Sequence, residues 1–324
     1  MSGAEYVHGY SSREAERLYD QASTLSTLLH EGIRYAPGRS VLEAGCGTGA
    51  QTVILAGNSP DAEIVSVDVS PASLELARRR VEAGGHRNVR FQLADLFSLP
   101  FPESSFDDVF VCFVLEHLAE PEKALAVLRR MLKPNGTITA IEGDHSSWYC
   151  YPHTPEASRT VECLVEIQAR LGGDALIGRS LYPLLVRAGF RDAHVIPRMV
   201  YVDGSRPDLI EGFSKNTFIA MVEGVREQAL SLGLMEESRW DKGIADMYRA
   251  AQPGGTFCYT FFRGTATRLP HQRCATGTRS SPRRFPACAG RPRDGTAGRS
   301  LWSRSRCRQA QPPGSTEAPA NRPR

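Results

Sequence analysis

Val41-Leu42-Glu43-Ala44-Gly45-Cys46-Gly47-Thr48-Gly49 is the stretch that decides the fold. A short apolar run is broken by three glycines at alternate positions, and Ala50–Ala56 then reads as the start of a helix. Strand, tight turn and helix start follow one another directly. Glycine supplies the positive φ such a turn needs and lets backbone approach a ligand closely. The helix behind it presents N–H groups that have no partner inside the helix. The spacing Gly45-x-Gly47-x-x-Ala50 also satisfies the dinucleotide fingerprint. Taken alone, the loop leaves a plain strand–helix turn, a nicotinamide cofactor and other nucleotide cofactors open.

Outward from this loop, strand and helix signals alternate. Ser40–Glu43 reads as strand β1, Glu63–Asp68 as β2, Val89–Leu93 as β3, Phe106–Val114 as β4 and Thr137–Glu142 as β5. The nearly continuous apolar run of β4 suits a strand buried on both faces. Between β2 and β3, Ser70-Pro71 opens a helix through Val81, with the cap at Ser70 and proline in the first turn. Pro121–Leu132 is a helix that Pro134-Asn135-Gly136 stops. Upstream, Ala15, Leu18, Ala22, Leu25 and Leu28 recur at helical spacing over Ser12–His30. This rhythm predicts a doubly wound α/β fold with a parallel sheet and right-handed crossovers. After Glu142 the rhythm loosens. Glu156–Leu171, Ser180–Ala188, Pro207–Leu232 and Glu236–Ala251 look helical, His194–Val202 extended, and Thr256–Arg263 is a last strand.

Two acidic residues narrow the cofactor. Asp68 ends β2, 23 residues after Gly45, where a carboxylate can accept both hydroxyls of a ribose. Asp95 follows β3, where a carboxylate can accept from an adenine amino group. At this point residues 38–142 resemble the class I S-adenosylmethionine (SAM)-dependent methyltransferases, especially the ubiquinone/menaquinone-methylase subgroup. The pieces are the glycine loop, Val67-Asp68-Val69-Ser70-Pro71, Ala94-Asp95, Leu99-Pro100-Phe101, Ser105-Phe106-Asp107, Leu115-Glu116-His117-Leu118 and Leu132-Lys133-Pro134-Asn135-Gly136. Each is common; their order and spacing together are specific. From about Tyr6 to Gly264 the chain is also similar to functionally uncharacterised bacterial and archaeal methyltransferases, through Tyr10-Ser11-Ser12-Arg13-Glu14-Ala15 and Phe257-Cys258-Tyr259-Thr260-Phe261-Phe262.

The resemblance implies a mostly parallel, seven-stranded Rossmann-like sheet with SAM as cofactor. Glu43 and Gly45 would line its methionine end, and Gly47 and Gly49 would shape the loop. Asp68 would hold the ribose, Asp95 the adenine, and Phe113 would lie beside the cofactor. Residues 1–37 would form a helical lid carrying Tyr10 and Arg17. Residues 38–264 would be the SAM-binding domain, with helical acceptor-pocket elements at about 145–255.

Charge and composition bound the partners. Residues 265–324 hold 13 Arg, no Lys and only Asp294 and Glu317, whereas residues 1–264 hold 26 basic against 34 acidic groups. An acidic body is a poor match for a phosphate backbone, so nucleic acid is not the expected partner. The 265–324 stretch is rich in Arg, Pro, Gly and Ser and lacks apolar periodicity; it reads as a disordered tail. No apolar run approaches the roughly 18 residues of a spanning helix, and the first ten residues do not read as a signal peptide. The eight cysteines form no C-x-x-C pair, which suits reduced thiols in a cytoplasm. Oligomeric state is not legible.

The acceptor side is less defined. Val111-Cys112-Phe113-Val114 lacks the Pro-Pro-aromatic signature of amino-adenine methylases, and no Pro-Cys dipeptide of cytosine C5 methylases occurs. A polar cluster follows β5: Glu142, Asp144, His145, Trp148, Tyr149, Tyr151 and His153. Strand carboxyl ends are where such sheets bind ligands. His145 is the candidate general base, since neutral imidazole near pH 7 accepts protons. No metal site is assigned. His117, Arg198 and Tyr201 are further candidates for substrate contact. The expectation is a small-molecule methyltransferase; a methylase of RNA or protein, a nicotinamide-dependent oxidoreductase and a non-catalytic SAM-binding protein are the alternatives.

Overall fold

A computed structural model of the chain describes residues 21, 22 and 24–270. Tyr10, Arg17 and the tail from residue 271 onward lie outside the described residues.

Among the described residues eight strands form one sheet: β1 Ser40–Ala44, β2 Glu63–Asp68, β3 Val89–Leu93, β4 Phe106–Cys112, β5 Leu132–Gly143, β6 Tyr149–Tyr151, β7 Arg191–Val202 and β8 Thr256–Thr267. The run β3-β2-β1-β4-β5 is parallel throughout. β8 then pairs antiparallel with β5 through Phe261–Thr267, and β7 pairs antiparallel with β8 along its whole length. Short β6 meets Thr256–Cys258 of β8, continuing the line of β5. It is one strand more than the seven expected. Three residues, Tyr149-Cys150-Tyr151, are too few to give a periodic signal.

Both faces of the sheet are buried because alternate residues of each central strand serve opposite layers. Val41, Phe110, Cys112 and Ile141 pack on one face with Leu25, Leu29 and Leu55. Leu42, Val109, Val111, Ile138 and Ala140 pack on the other with Leu125, Leu128, Leu181 and Leu185. The helices are α1 (24–30), α2 Ala50–Asn58, α3 Pro71–Ala83, α4 Pro121–Met131, α5 Pro155–Arg170 and α6 Leu181–Arg187. The Ser70 hydroxyl accepts from Ser73 N at 3.2 Å and Pro71 occupies the first turn, the start expected from the sequence. Beyond β7 come α7 Pro207–Leu209, a π-helical stretch Ile210–Ile219, α8 Ala220–Glu223, α9 Arg226–Ser231 and α10 Glu237–Ala250. No helix among the described residues is long and apolar enough to cross a membrane.

The body does not stop at Gly264. β8 runs to Thr267, with Thr265 opposite Thr139 and Thr267 opposite Thr137. Arg268 is 5% exposed; its Nη1 donates to the carbonyls of Arg130 and Leu132, and its N–H to Gly136 O at 2.9 Å. The change of composition at Thr265 hides this, because threonine, glycine and alanine in an inner strand look like tail to a hydropathy reading.

Candidate cofactor and acceptor site

β1 lies between β2 and β4. The chain leaves β1 toward β2 and β3 on one side, then returns to build β4 and β5 on the other. The carboxyl ends of β1 and β4 are therefore the topological switch point, where open α/β sheets bind ligands. The glycine loop follows β1 at that point, and Phe113 follows β4.

The loop is fixed from several sides. Gly45 N and Cys46 N donate to Val67 O at 2.9 and 3.0 Å. Gly47 N donates to Asp68 Oδ2 at 2.8 Å, and Ser70 N to Asp68 Oδ1 at 2.9 Å. Arg80 of α3 reaches back to Thr48 O at 2.9 Å. The three glycines have φ of +70°, +51° and +80°, but their surroundings differ. A Cβ on Gly49 would sit 2.7 Å from the backbone of Ala77, and one on Gly45 2.5 Å from Val114. A Cβ on Gly47 would meet nothing within 4 Å. Gly45 and Gly49 are thus required by packing, and Gly47 borders open space, where a ligand can approach the backbone.

The sequence-derived site residues take distinct positions. Glu43 is 2% exposed, and Thr52 Oγ1 and Ser66 Oγ converge on its Oε2 at 2.7 and 2.6 Å. Burial pushes its pKa from 4.5 to about 7, against the lowering effect of those two hydrogen bonds. Asp68 is half-buried and already holds two backbone N–H groups; an ionised carboxylate has about four acceptor sites, so two remain. Asp95 is exposed, its Oδ1 accepting from Phe97 N at 2.8 Å. Ala94 N donates to Asp68 O at 3.0 Å, which brings the two acids to adjacent strand ends. Beside them Val69 is 59% and Phe97 41% exposed. These apolar side chains went unnoticed in the sequence, although each stands within two residues of one of the acids. Phe113 holds φ of +57°, its N–H donating to Ile141 O at 2.9 Å. A bulky residue in the left-handed region is strained and marks a position that the surroundings over-determine.

The acceptor-side cluster is more buried than a loop reading suggests. Glu142 is fully buried; its Oε1 accepts from Val114 N at 3.2 Å and Leu115 N at 2.9 Å. Burial, then the nearby Glu116 carboxylate, raises its pKa well above the usual range. His145 is 5% exposed. Its Nδ1 lies 2.7 Å from Tyr259 Oη and its Nε2 3.6 Å from Glu116 Oε2. Burial holds the Tyr259 phenol protonated; its oxygen and His145 Nδ1 share one hydrogen bond, whose direction follows the imidazole tautomer. Tyr259, Glu116 and Gln168, whose Nε2 donates to Glu116 O at 3.1 Å, are residues that sequence reasoning missed. They come from β8, the β4 exit and α5, and no linear spacing links them. Asp144 is paired with Arg179 at 2.6 and 2.7 Å. His153 is exposed and bonded to Ser158. Arg198 pairs with Glu31 at 2.7 Å, and Tyr201 is 46% exposed on β7. Among the described residues no group of three or more His, Cys, Asp or Glu could hold a metal. Five cysteines, Cys46, Cys112, Cys150, Cys163 and Cys258, are free and buried.

Comparison with known proteins meets this geometry at the same residues. Residues 42–140 match a family model described as a methyltransferase domain. That match spans the glycine loop, Asp68, Asp95 and Phe113, and it is to the kind of domain that the sequence resembles. A demethylmenaquinone methyltransferase of Thermus thermophilus is 42% identical over 110 residues, 34% of this chain and 49% of the relative. An uncharacterised 37.1 kDa protein in transposon TN4556 of Streptomyces fradiae is 33% identical over 208 residues, 63% of this chain and 59% of that protein. The chain thus spans about half to three fifths of these curated relatives. Among solved structures, the YcgJ protein of Bacillus subtilis is 17% identical with a TM-score of 0.48, covering 77% of this chain and 99% of that chain. The family match ends at residue 140, before Glu142 and His145.

Proposed function

We propose that this chain transfers a methyl group from SAM to a small-molecule acceptor. The observation that carries the reading is the construction of the switch point. Asp68 fixes the open edge of the glycine loop at Gly47 while keeping acceptor capacity, and strained Phe113 stands at the end of the neighbouring strand. The residues fit the cofactor. Backbone at Gly47 is approachable, Asp68 and Asp95 accept hydrogen bonds from ribose and adenine, and Val69 and Phe97 offer exposed apolar surface beside them.

SAM, when bound, supplies an activated methyl group on a sulfonium. The protein's part is orientation, which contributes about 7–11 kcal/mol when two reacting groups are held in line. A base is needed only where the acceptor must lose a proton. His145 is the candidate. Its Nδ1 is held by Tyr259, and a proton taken up by the imidazole is stabilised by Glu116, 3.6 Å from Nε2. The acidic balance of residues 1–264 and the helices between β6 and β8 favour an enclosed metabolite over a nucleic acid. The acceptor of the demethylmenaquinone methyltransferases does not carry over, because the family match stops short of the acceptor side.

The test is a metabolite-extract screen with methyl-labelled SAM, preceded by calorimetry against SAM, NAD and NADP. SAM binding and label in a small molecule are expected. Tight nicotinamide binding without SAM binding, or label confined to RNA or protein, would overturn the reading.

A further inference from the structure

We propose that the opposite, amino end of the sheet carries a second binding site, for a small oxyanion such as a phosphate or carboxylate group. A cavity of about 370 Å³ lies there, between the 32–36 loop, the start of β1 and the inner strands β4, β5 and β8. Its volume is at the lower end of the roughly 300–1,000 Å³ that small-molecule sites occupy. The glycine loop and Phe113, at the carboxyl ends of β1 and β4, take no part in its walls.

The lining is polar where a doubly wound sheet is normally apolar. Thr139 and Thr265 face each other across β5 and β8, beside Asp108 and Arg263. Three guanidinium groups, Arg34, Arg39 and Arg263, stand against the single carboxylate of Asp108. That carboxylate is saturated: Arg39 donates to both its oxygens at 2.5 and 2.8 Å, and Thr137 adds a third bond. A cation therefore has nothing to bind. Arg263 donates to the Glu31 carbonyl but has no carboxylate within ion-pair distance among the described residues. Its charge is opposed by burial and by Arg198 on neighbouring β7, and supported more weakly by the Glu31 carboxylate. Arg198 stands outside the lining; among the described residues it pairs with exposed Glu31, and its buried Nε makes no hydrogen bond. Tyr35, in the wall, has a buried hydroxyl whose approach to Thr139 closes no hydrogen bond of normal geometry. Unmatched buried donors are costly. Surplus guanidinium charge and unmatched donors share one remedy, a ligand that brings acceptor oxygens and negative charge.

The site is testable without SAM. Thermal unfolding of the full chain is followed against inorganic phosphate and, separately, succinate, with chloride at matched ionic strength as control. A saturable rise is expected, about 3–6 °C at ten times the dissociation constant. Arg263→Gln should weaken the effect at least tenfold, and Tyr35→Phe by less. Arg34→Gln, at an exposed side chain, gives the same readout should Arg263→Gln fail to fold. SAM binding by the variants should match wild type, which separates this site from the cofactor site. Absence of a saturable shift up to about 20 mM, or equal shifts in wild type and all variants, would overturn the proposal.

Discussion

Asp68 has two tasks, and its removal should show both. Each carboxylate oxygen accepts one backbone N–H, from Gly47 at 2.8 Å and Ser70 at 2.9 Å. Hydrogen bonds to a charged group contribute about 1.5–3 kcal/mol each. Asp68 is only half-buried, so the low half of that range applies, about 3–4.5 kcal/mol for the pair. Asp68→Ala should therefore lower the melting temperature of the ligand-free protein by about 6–18 °C. A sequence reading that gives Asp68 to the ribose alone expects no such loss. Asp68→Asn keeps one acceptor oxygen and turns an amide N–H toward the other backbone donor, so its loss should be about half as large. On binding, the two remaining acceptor sites would meet the ribose hydroxyls. Losing them should weaken SAM by about 10²–10⁴-fold, read by calorimetry at a temperature where each variant is folded. An unchanged melting temperature in Asp68→Ala would refute the structural task. Unchanged SAM affinity would refute the placement of the site.

Three further outcomes are expected. Glu43 has a folded-state pKa raised by burial to about 7, so its contribution to stability is full below about pH 4.5 and is lost as pH rises through 7. Wild type should lose up to about 3 kcal/mol relative to Glu43→Gln across that window, and parallel denaturation curves at pH 4.5 and 7.5 would contradict this. A chain ending at Gly264 should be markedly destabilised, since it lacks Thr265, Thr267 and the Arg268 contacts to the Arg130 and Leu132 carbonyls, whereas one ending at Pro270 should melt like the full chain; equal melting of the two would show that the strand end is dispensable. With the acceptor in hand, His145→Ala should retain SAM affinity and lose turnover by about 10²–10⁴-fold, and a loss below tenfold would assign catalysis to positioning alone.

Local signals reached far into this fold. Glycines at positions 45, 47 and 49, Ser70-Pro71 and the apolar runs of β2 and β4 act over a few residues, where backbone sterics, capping and burial are legible in order along the chain. They placed β2 and β3 to the residue and located Asp68 and Asp95 at strand ends, but ran β4 to Val114, whereas it stops at Cys112 and leaves Phe113 just past its end. The tertiary structure decided what depends on residues far apart in sequence. Asp68 is half committed to the loop because Gly47 folds back onto it. Glu43 lies beneath the loop because Thr52 and Ser66 close over it. His145 is enclosed because Tyr259, 114 residues away on β8, and Glu116, in the turn after β4, meet it from other parts of the chain. β8 extends past the change of composition because Thr265 and Thr267 find partners on β5. A spacing pattern encodes the path of the backbone; burial, charge pairing and proton position arise only when distant segments share the same few ångströms.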